Sequence, residues 1–282
     1  MASPQTQTVS AARAASGSLT AAVVRVTKLS PADKARMFEL MRQSYDAVTE
    51  QQFLFDLGQK DDVILLRDRG DEIIRGFSTL ARLRARWGRQ TLRGVFSGDT
   101  VIEPQYWGRR TLGKAFLKFM WWQKLRHPAS PLYWLLISKG YKTYLMMANN
   151  FSEHYPRCER PTPADKQAII EAFYTTLFPK EYDPRTGLVR FGAAACRLKA
   201  GVAGISPELA QSNRRVAFFQ QVNPDWTRGV ELACLARMTW WMPLAYWLKV
   251  TLGDRWLGLP VRLRRLARDV WLAAQRRSRA HE

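Results

Sequence analysis

Val95-Phe-Ser-Gly-Asp-Thr-Val-Ile-Glu-Pro-Gln-Tyr-Trp-Gly-Arg-Arg-Thr-Leu-Gly-Lys114, continuing as Ala-Phe-Leu-Lys-Phe-Met-Trp121, is the stretch on which the fold turns. Its first part is β-branched and apolar, the pattern of a buried strand running from Thr91 to Ile102. Pro104 ends that strand, since it has no N–H to give to a sheet. A basic turn bracketed by Gly108 and Gly113 follows, and a helix opens at Leu112. Such a turn is suited to an anion. Glycines let the backbone approach it, the first helical turn offers unbonded N–H groups, and Arg109, Arg110 and Lys114 add full charges. Gly108, Arg109, Arg110, Thr111, Leu112, Gly113 and Lys114 are therefore the predicted cradle.

The same residues also spell most of a nucleotide-binding P-loop, Gly108-x-x-x-x-Gly113-Lys114. That motif needs Ser or Thr next, to hold Mg²⁺, and Ala115 stands there. No later strand ends in Asp as a Walker B strand would. An NTPase is therefore excluded.

Upstream, Val23 to Val26 reads as a first strand. Ser30-Pro-Ala-Asp33 starts a helix, with Ser as N-cap and Pro at the first helical position. Its apolar face takes Met37, Leu40, Met41, Tyr45 and Val48 at steps of three and four, and a short helix over Thr49 to Leu57 follows. Asp62 to Arg67 and Glu72 to Arg84 read as a hairpin around Asp68-Arg-Gly-Asp71, leading into the strand at Thr91. Downstream, the cradle helix ends at His127-Pro-Ala-Ser-Pro131. Leu132 to Ile137 is an apolar strand, and Tyr141 to Phe151 a helix. Thr162-Pro-Ala-Asp165 predicts a further helix through Ile169, Ile170, Phe173 and Leu177. Val216 to Gln220 and Glu231 to Leu235 fit strands or buried helices, the second placed to extend the sheet.

Forty-four Lys+Arg against 24 Asp+Glu leave a formal charge of +20 over 282 residues. That excess favours acidic partners: phosphates, an acidic protein, an anionic membrane surface or nucleic acid. Arginines spread over solvated faces are the plain alternative. Cys158, Cys196 and Cys234 are widely spaced and do not cluster with His127, His154 or His281, so neither a disulfide scaffold nor a metal site is expected. A cytoplasmic protein fits this cysteine usage. Residues 1–20 read as a disordered leader without the apolar block of a signal peptide. Residues 238–282 pair a Trp-rich apolar segment, broken by Pro243, with a basic amphipathic stripe. Peripheral contact with an anionic inner membrane surface, or with an acidic protein, is expected of that tail.

Strand, helix pair, three-strand meander, Pro104-x-Tyr106-x-Gly108-Arg109 turn, long helix, apolar strand and helix together resemble the GNAT superfamily of N-acyltransferases, over roughly Val23 to Tyr155. The resemblance implies an α/β (α+β) fold: a mixed, mostly antiparallel central sheet flanked by helices. Here the core would span 21–160, an extension over 161–237 would complete it, and 238–282 would be a helical tail. It also implies direct transfer of an acyl group from acyl-CoA or acyl carrier protein to an amine. The donor is then a co-substrate, and no cofactor is tightly bound. The turn departs from the family's Gln/Arg-x-x-Gly-x-Gly/Ala by one extra residue, and Trp107 stands where Arg or Gln is usual.

By the same resemblance, Val101 and Ile102 would bind the donor through their backbone, and Tyr141 or Tyr144 would protonate the leaving thiolate. Either tyrosine equally suits packing of its helix on the sheet. Asp99 and Ser97 share a strand face by two-residue alternation. Asp99 is the candidate base or ammonium anchor, or else the cap of a bulge at Gly98; Glu153-His154 is a further candidate. A non-catalytic basic protein on the same scaffold, binding nucleic acid or anionic lipid, is the competing expectation. It ranks lower, because the arginines are not interleaved with aromatics on a strand face, and nucleic acid is not an expected partner.

Overall fold

The computed structural model describes residues 17–46, 48–192, 197–198 and 204–242. The chain divides into two compact units, Met1–Met238 and Thr239–Glu282. The expected leader and the Trp-rich basic tail lie almost wholly outside the described residues. Among the described residues no helix is long and apolar enough to cross a membrane.

The first unit opens with β1 (Leu19–Arg25) and α1 (Pro31–Ser44). Ser30 Oγ accepts from the Asp33 N–H at 3.0 Å and Asp33 accepts from the Ser30 N–H at 3.4 Å, closing a capping box ahead of Pro31. The helix is shorter than the apolar face drawn through Tyr45 and Val48. Tyr45–Asp46 instead turns extended as β2 and pairs with β10 (Arg197–Leu198). Pairing with a distant strand has overridden the local period. α2 (Glu50–Gly58) follows, its N-terminus capped by Thr49.

Three antiparallel strands come next, β3 (Asp62–Asp68), β4 (Ile74–Trp87) and β5 (Gln90–Ile102). The helix α3 (Thr111–Arg126) then carries the chain to β6 (Leu132–Ser138), which lies parallel to β5. After β6 come α4 (Tyr141–Asn150), β7 (His154–Tyr155), α5 (Ala164–Leu177), β8 (Tyr182–Asp183), β9 (Leu188–Val189), α6 (Pro207–Ser212), α7 (Arg214–Val222) and β11 (Glu231–Arg237). The sheet order is β1-β3-β4-β5-β6-β11-β9-β8, with β7 also on β11. β5–β6 is its one parallel pair among the described residues. This is the mixed, mostly antiparallel sheet expected from the sequence.

Both faces are covered, which is why the central strands read as nearly unbroken apolar runs. Val63, Leu65, Phe77 and Val101 pack under Met37, Leu40 and Phe53 of α1 and α2. Phe96, Tyr133, Leu135 and Leu235 pack under Ile169, Ile170 and Phe173 of α5. Trp134, between Tyr133 and Leu135, faces the other way. Its ring sits 4.7 Å from Phe116 of α3 and 5.0 Å from Phe151 at the end of α4. The Thr162 start signal is not used as a cap: α5 begins at Ala164 with Pro163 in the N-cap position and no side-chain cap. Val216 to Gln220 is helical, within α7, whereas Glu231 to Leu235 does extend the sheet, beside β6.

Candidate active site

The parallel pairing of β5 with β6 runs only from Arg93↔Leu132 to Ser97↔Leu136. Beyond it β5 stays on β4, through Thr100↔Ser78, Val101↔Phe77 and Ile102↔Gly76, while β6 stays on β11, through Ile137↔Ala233 and Ser138↔Leu232. The two strands part, and a notch opens between Gly98–Ile102 and the end of β6. A β-bulge marks the parting. Gly98 and Asp99 together oppose Thr79, since the register steps from Leu80↔Ser97 to Ser78↔Thr100. Glycine is required at the bulge, because a Cβ on Gly98 would stand 2.7 Å from Thr79 Oγ1 and 3.0 Å from Lys60 Cε.

Past the notch the chain makes a short 3₁₀ turn at Pro104–Tyr106 and reaches the predicted cradle. The turn is anchored from below. The buried Tyr106 hydroxyl donates to Asp68 Oδ2 at 2.7 Å, and Asp68 also accepts from the Gly70 N–H at 2.8 Å. These bonds hold the Asp68 carboxyl below its ordinary range. Trp107 turns out to half exposure, its indole N–H donating to the Ile102 carbonyl at 2.7 Å and the Lys142 ammonium lying 4.9 Å from its ring centre. Gly108 adopts a left-handed φ of 79° and its surroundings are open. The Lys114 N–H bonds the Arg110 carbonyl at 2.9 Å, so the amides of Thr111, Leu112 and Gly113 precede the helical ladder. Gly108, Arg109, Arg110, Gly113 and Lys114 are all exposed, whereas Leu112 is buried and Thr111 half-buried. Val101 and Ile102 line the notch with backbone; the Val101 side chain lies in the core beneath α1 and α2.

On the α1–α2 side of the notch the structure gathers ionisable groups that sequence reasoning did not join. Lys139, at the end of β6, lies with Nζ 3.2 Å from Glu231 Oε1 at the start of β11, and 5.3 Å from the Tyr45 ring centre. Burial pushes the Glu231 carboxyl up; Lys139 draws it back and Asp99 pushes it further. Burial likewise raises Asp99, with Lys60 and Lys139 opposing and Asp56 adding to the rise. Two carboxyls with raised affinity for a proton thus share Lys139, with Lys60 acting on Asp99 alone, a pattern suited to proton transfer. Glu231 was visible as the one charge opening the apolar run Glu231 to Leu235. Its contact with Lys139 spans the sheet order β6–β11 and had no local signal.

Asp99 and Ser97 do not share a face as alternation predicted. The bulge breaks the period: Ser97 Oγ accepts from the Trp134 indole N–H at 2.8 Å on the α3 side, while Asp99 comes under Lys60, which lies over Phe96. Tyr141 opens α4 two residues past Lys139 and is half-buried. Tyr144 is buried, its ring packed on Phe218 and Phe219 of α7 and its hydroxyl donating to the Pro156 carbonyl at 3.2 Å. Desolvation raises that phenol far above its ordinary value. Glu153 pairs with Lys166 and Arg237, and buried His154 bonds the Phe151 carbonyl, so neither joins the notch.

Strand, helix pair, meander, basic turn, long helix, strand and helix are all present in the order on which the resemblance to the GNAT superfamily rests. No protein-family model matches the sequence, and no curated protein matches it. Solved structures align with about half of the chain. A conserved protein from Enterococcus faecalis V583 aligns at 14% identity and TM-score 0.36, covering 48% of this chain; this chain spans 33% of that protein's length. The GNAT-family N-acetyltransferase YhbS of Escherichia coli, solved with CoA, aligns at 14% identity and TM-score 0.34, over 48% of this chain and 70% of its own. NAA60 of Arabidopsis thaliana, solved with a bisubstrate analogue, aligns at 17% identity and TM-score 0.36, over 50% and 87%. These alignments say nothing about what this chain acts on.

Proposed function

We propose that this protein is an N-acyltransferase, moving an acyl group from a phosphopantetheine thioester to an amine. The observation that carries the reading is the notch where β5 leaves β6, with a bulge on one wall and the first-turn amides of α3 beyond its end. A donor phosphate on the amides of Thr111 to Gly113 satisfies groups the helix itself leaves unbonded, and Arg109, Arg110 and Lys114 offset its charge. The pantetheine arm then runs along the β5 edge at Val101 and Ile102. The amine nitrogen attacks the thioester carbonyl carbon, whose oxygen takes up charge against a β5 amide. The C–S bond breaks, the ammonium proton goes to Asp99 or Glu231, and Tyr141 gives a proton to the departing thiolate. The two carboxyls also anchor a cationic acceptor before reaction. Acyl-CoA and acyl carrier protein present the same arm, and the basic cradle accepts either.

Isothermal titration with CoA and with a holo acyl carrier protein tests the donor. Gly113→Asp sets a carboxylate among the first-turn amides, and is expected to weaken donor binding at least about tenfold with thermal stability kept. Unchanged affinity in that variant places the phosphate elsewhere and ends the cradle reading.

A further inference from the structure

A polar cavity lies at the other end of β5, about five residues or roughly 16 Å along the strand from the notch. It has a volume of about 250 Å³ and lies between the start of β5, the β4 strand and the C-terminal end of α3. Its walls carry Arg82, Arg84, Arg93, Arg126 and His127, with Asp61 as the one acidic lining group. Asp61 is already spent on Arg82, at 3.0 Å from its Nη2, and Asp62 nearby is shared between Arg82 and Arg25, each at 3.4 Å. Arg126 stacks its guanidinium 5.2 Å from the Trp122 ring centre. Among the described residues no carboxylate lies within ion-pair distance of Arg84, Arg93 or Arg126.

This is a costly arrangement for a protein with no ligand for it. Arg84 and Arg93 are direct cross-strand partners in the β4–β5 register, where like charges repel. Arg93 Nε is buried with no hydrogen-bond partner, and a buried donor left unbonded is unfavourable. Burial, with Arg84 adding to it, makes Arg93 easier to deprotonate; burial, then Arg93, Arg84 and Arg126, lower His127 as well. A bound anion of two negative charges offsets the repulsion among these arginines and offers Arg93 an acceptor. Guanidinium forks match the oxygens of a tetrahedral oxyanion, and the volume holds such a group with a small organic remainder but not a polymer strand.

We infer that the Arg84–Arg93–Arg126 cavity binds a small phosphate monoester, at a site separate from the acyl-transfer notch. The site lies against β5, so its occupant bears on the same strand that forms the notch wall.

The probe is inorganic phosphate. Thermal unfolding of the wild type in phosphate is compared with that in chloride at matched pH and ionic strength, and affinity is read by titration calorimetry. A phosphate-specific rise in Tm is expected. Arg84→Gln and Arg93→Gln should each weaken phosphate about tenfold, the scale of one lost charge-assisted hydrogen bond. In chloride their Tm should not fall below that of the wild type, because the repulsive pair is relieved. Gly113→Asp should keep the phosphate effect, which separates this cavity from the cradle. Should Arg93→Gln not fold, Arg84→Gln, at an exposed position, makes the same comparison. No phosphate-specific rise, or an equal rise in wild type and Arg84→Gln, overturns the inference. So does a rise abolished by Gly113→Asp alone. Binding of a single-stranded oligonucleotide that needs these arginines, with no effect of inorganic phosphate, assigns them to a polymer surface instead and overturns it too.

Discussion

The Tyr174 hydroxyl lies 2.7 Å from the Leu136 and Cys234 carbonyl oxygens and 3.1 Å from the Cys234 N–H. It carries one proton, so it donates to one carbonyl while accepting from the amide, and it stitches α5 to two neighbouring strands. Burial holds the phenol well above its ordinary value, so it stays protonated. Tyr174→Phe keeps the ring and leaves these buried backbone groups short of a partner. A loss of about 1–3 kcal/mol of stability is expected, read from urea unfolding; a change within experimental scatter would sink the assignment. The apolar face of α5 was legible in the spacing of Ile169, Ile170, Phe173 and Leu177. Tyr174 was not, because its bonds span 38 and 60 residues and leave no trace in the local pattern. The partners of Tyr144 were hidden for the same reason: the rings that pack on it lie on α7.

Among the elements, Arg215 ties α7 to α4, through Asn149, and to the loop after β7, through Glu159. Glu159 accepts from Arg157 Nε and Arg215 Nη2, each at 3.0 Å, and Arg215 also donates to Asn149 Oδ1 at 2.6 Å. Burial pushes the Glu159 carboxyl up, but the two arginines hold it at about 2. Its pKa is therefore lower folded than unfolded, where about 4.3 is ordinary. The stabilisation is present above about pH 4.3 and fades as pH falls towards 2. About a third of the side chain is exposed, so the effect is modest, of order 0.5–1 kcal/mol. Glu159→Gln should lower stability by that amount near pH 7, and by progressively less below about pH 4; a pH-independent difference would show that the charge is immaterial. Elements whose signals are local were legible: the Ser30-Pro31 start, the meander and the cradle helix. The bulge defeated the alternation rule at Ser97 and Asp99, though a glycine inside a strand pattern was its visible sign.

Over the whole molecule, the proposed chemistry draws on three strands that meet only in the folded sheet: Asp99 from β5, Lys139 from β6 and Glu231 from β11. If a carboxylate with a raised pKa takes the proton, kcat/KM for an amine acceptor rises with pH through a value above the ordinary carboxylate range. Glu231→Gln should then lower kcat about 10²-fold and move or remove that rise, with Asp99→Asn as the companion variant. Two unaltered pH profiles would leave both carboxylates as acceptor anchors only. The cradle residues and Asp99 could be named from the sequence because they are contiguous in the chain; the Lys139–Glu231 contact could not, because β11 joins the sheet from beyond residue 230. The Tyr106–Asp68 bond carries a further consequence. The proposed phosphate grip is moored to the last residue of β3, two strands away, beside the hairpin that links β3 to β4. Kinship judged from the Gly108–Lys114 signature alone is thus a poor guide to donor use: a cousin keeping every letter of that motif but recut at the distant hairpin has lost its mooring.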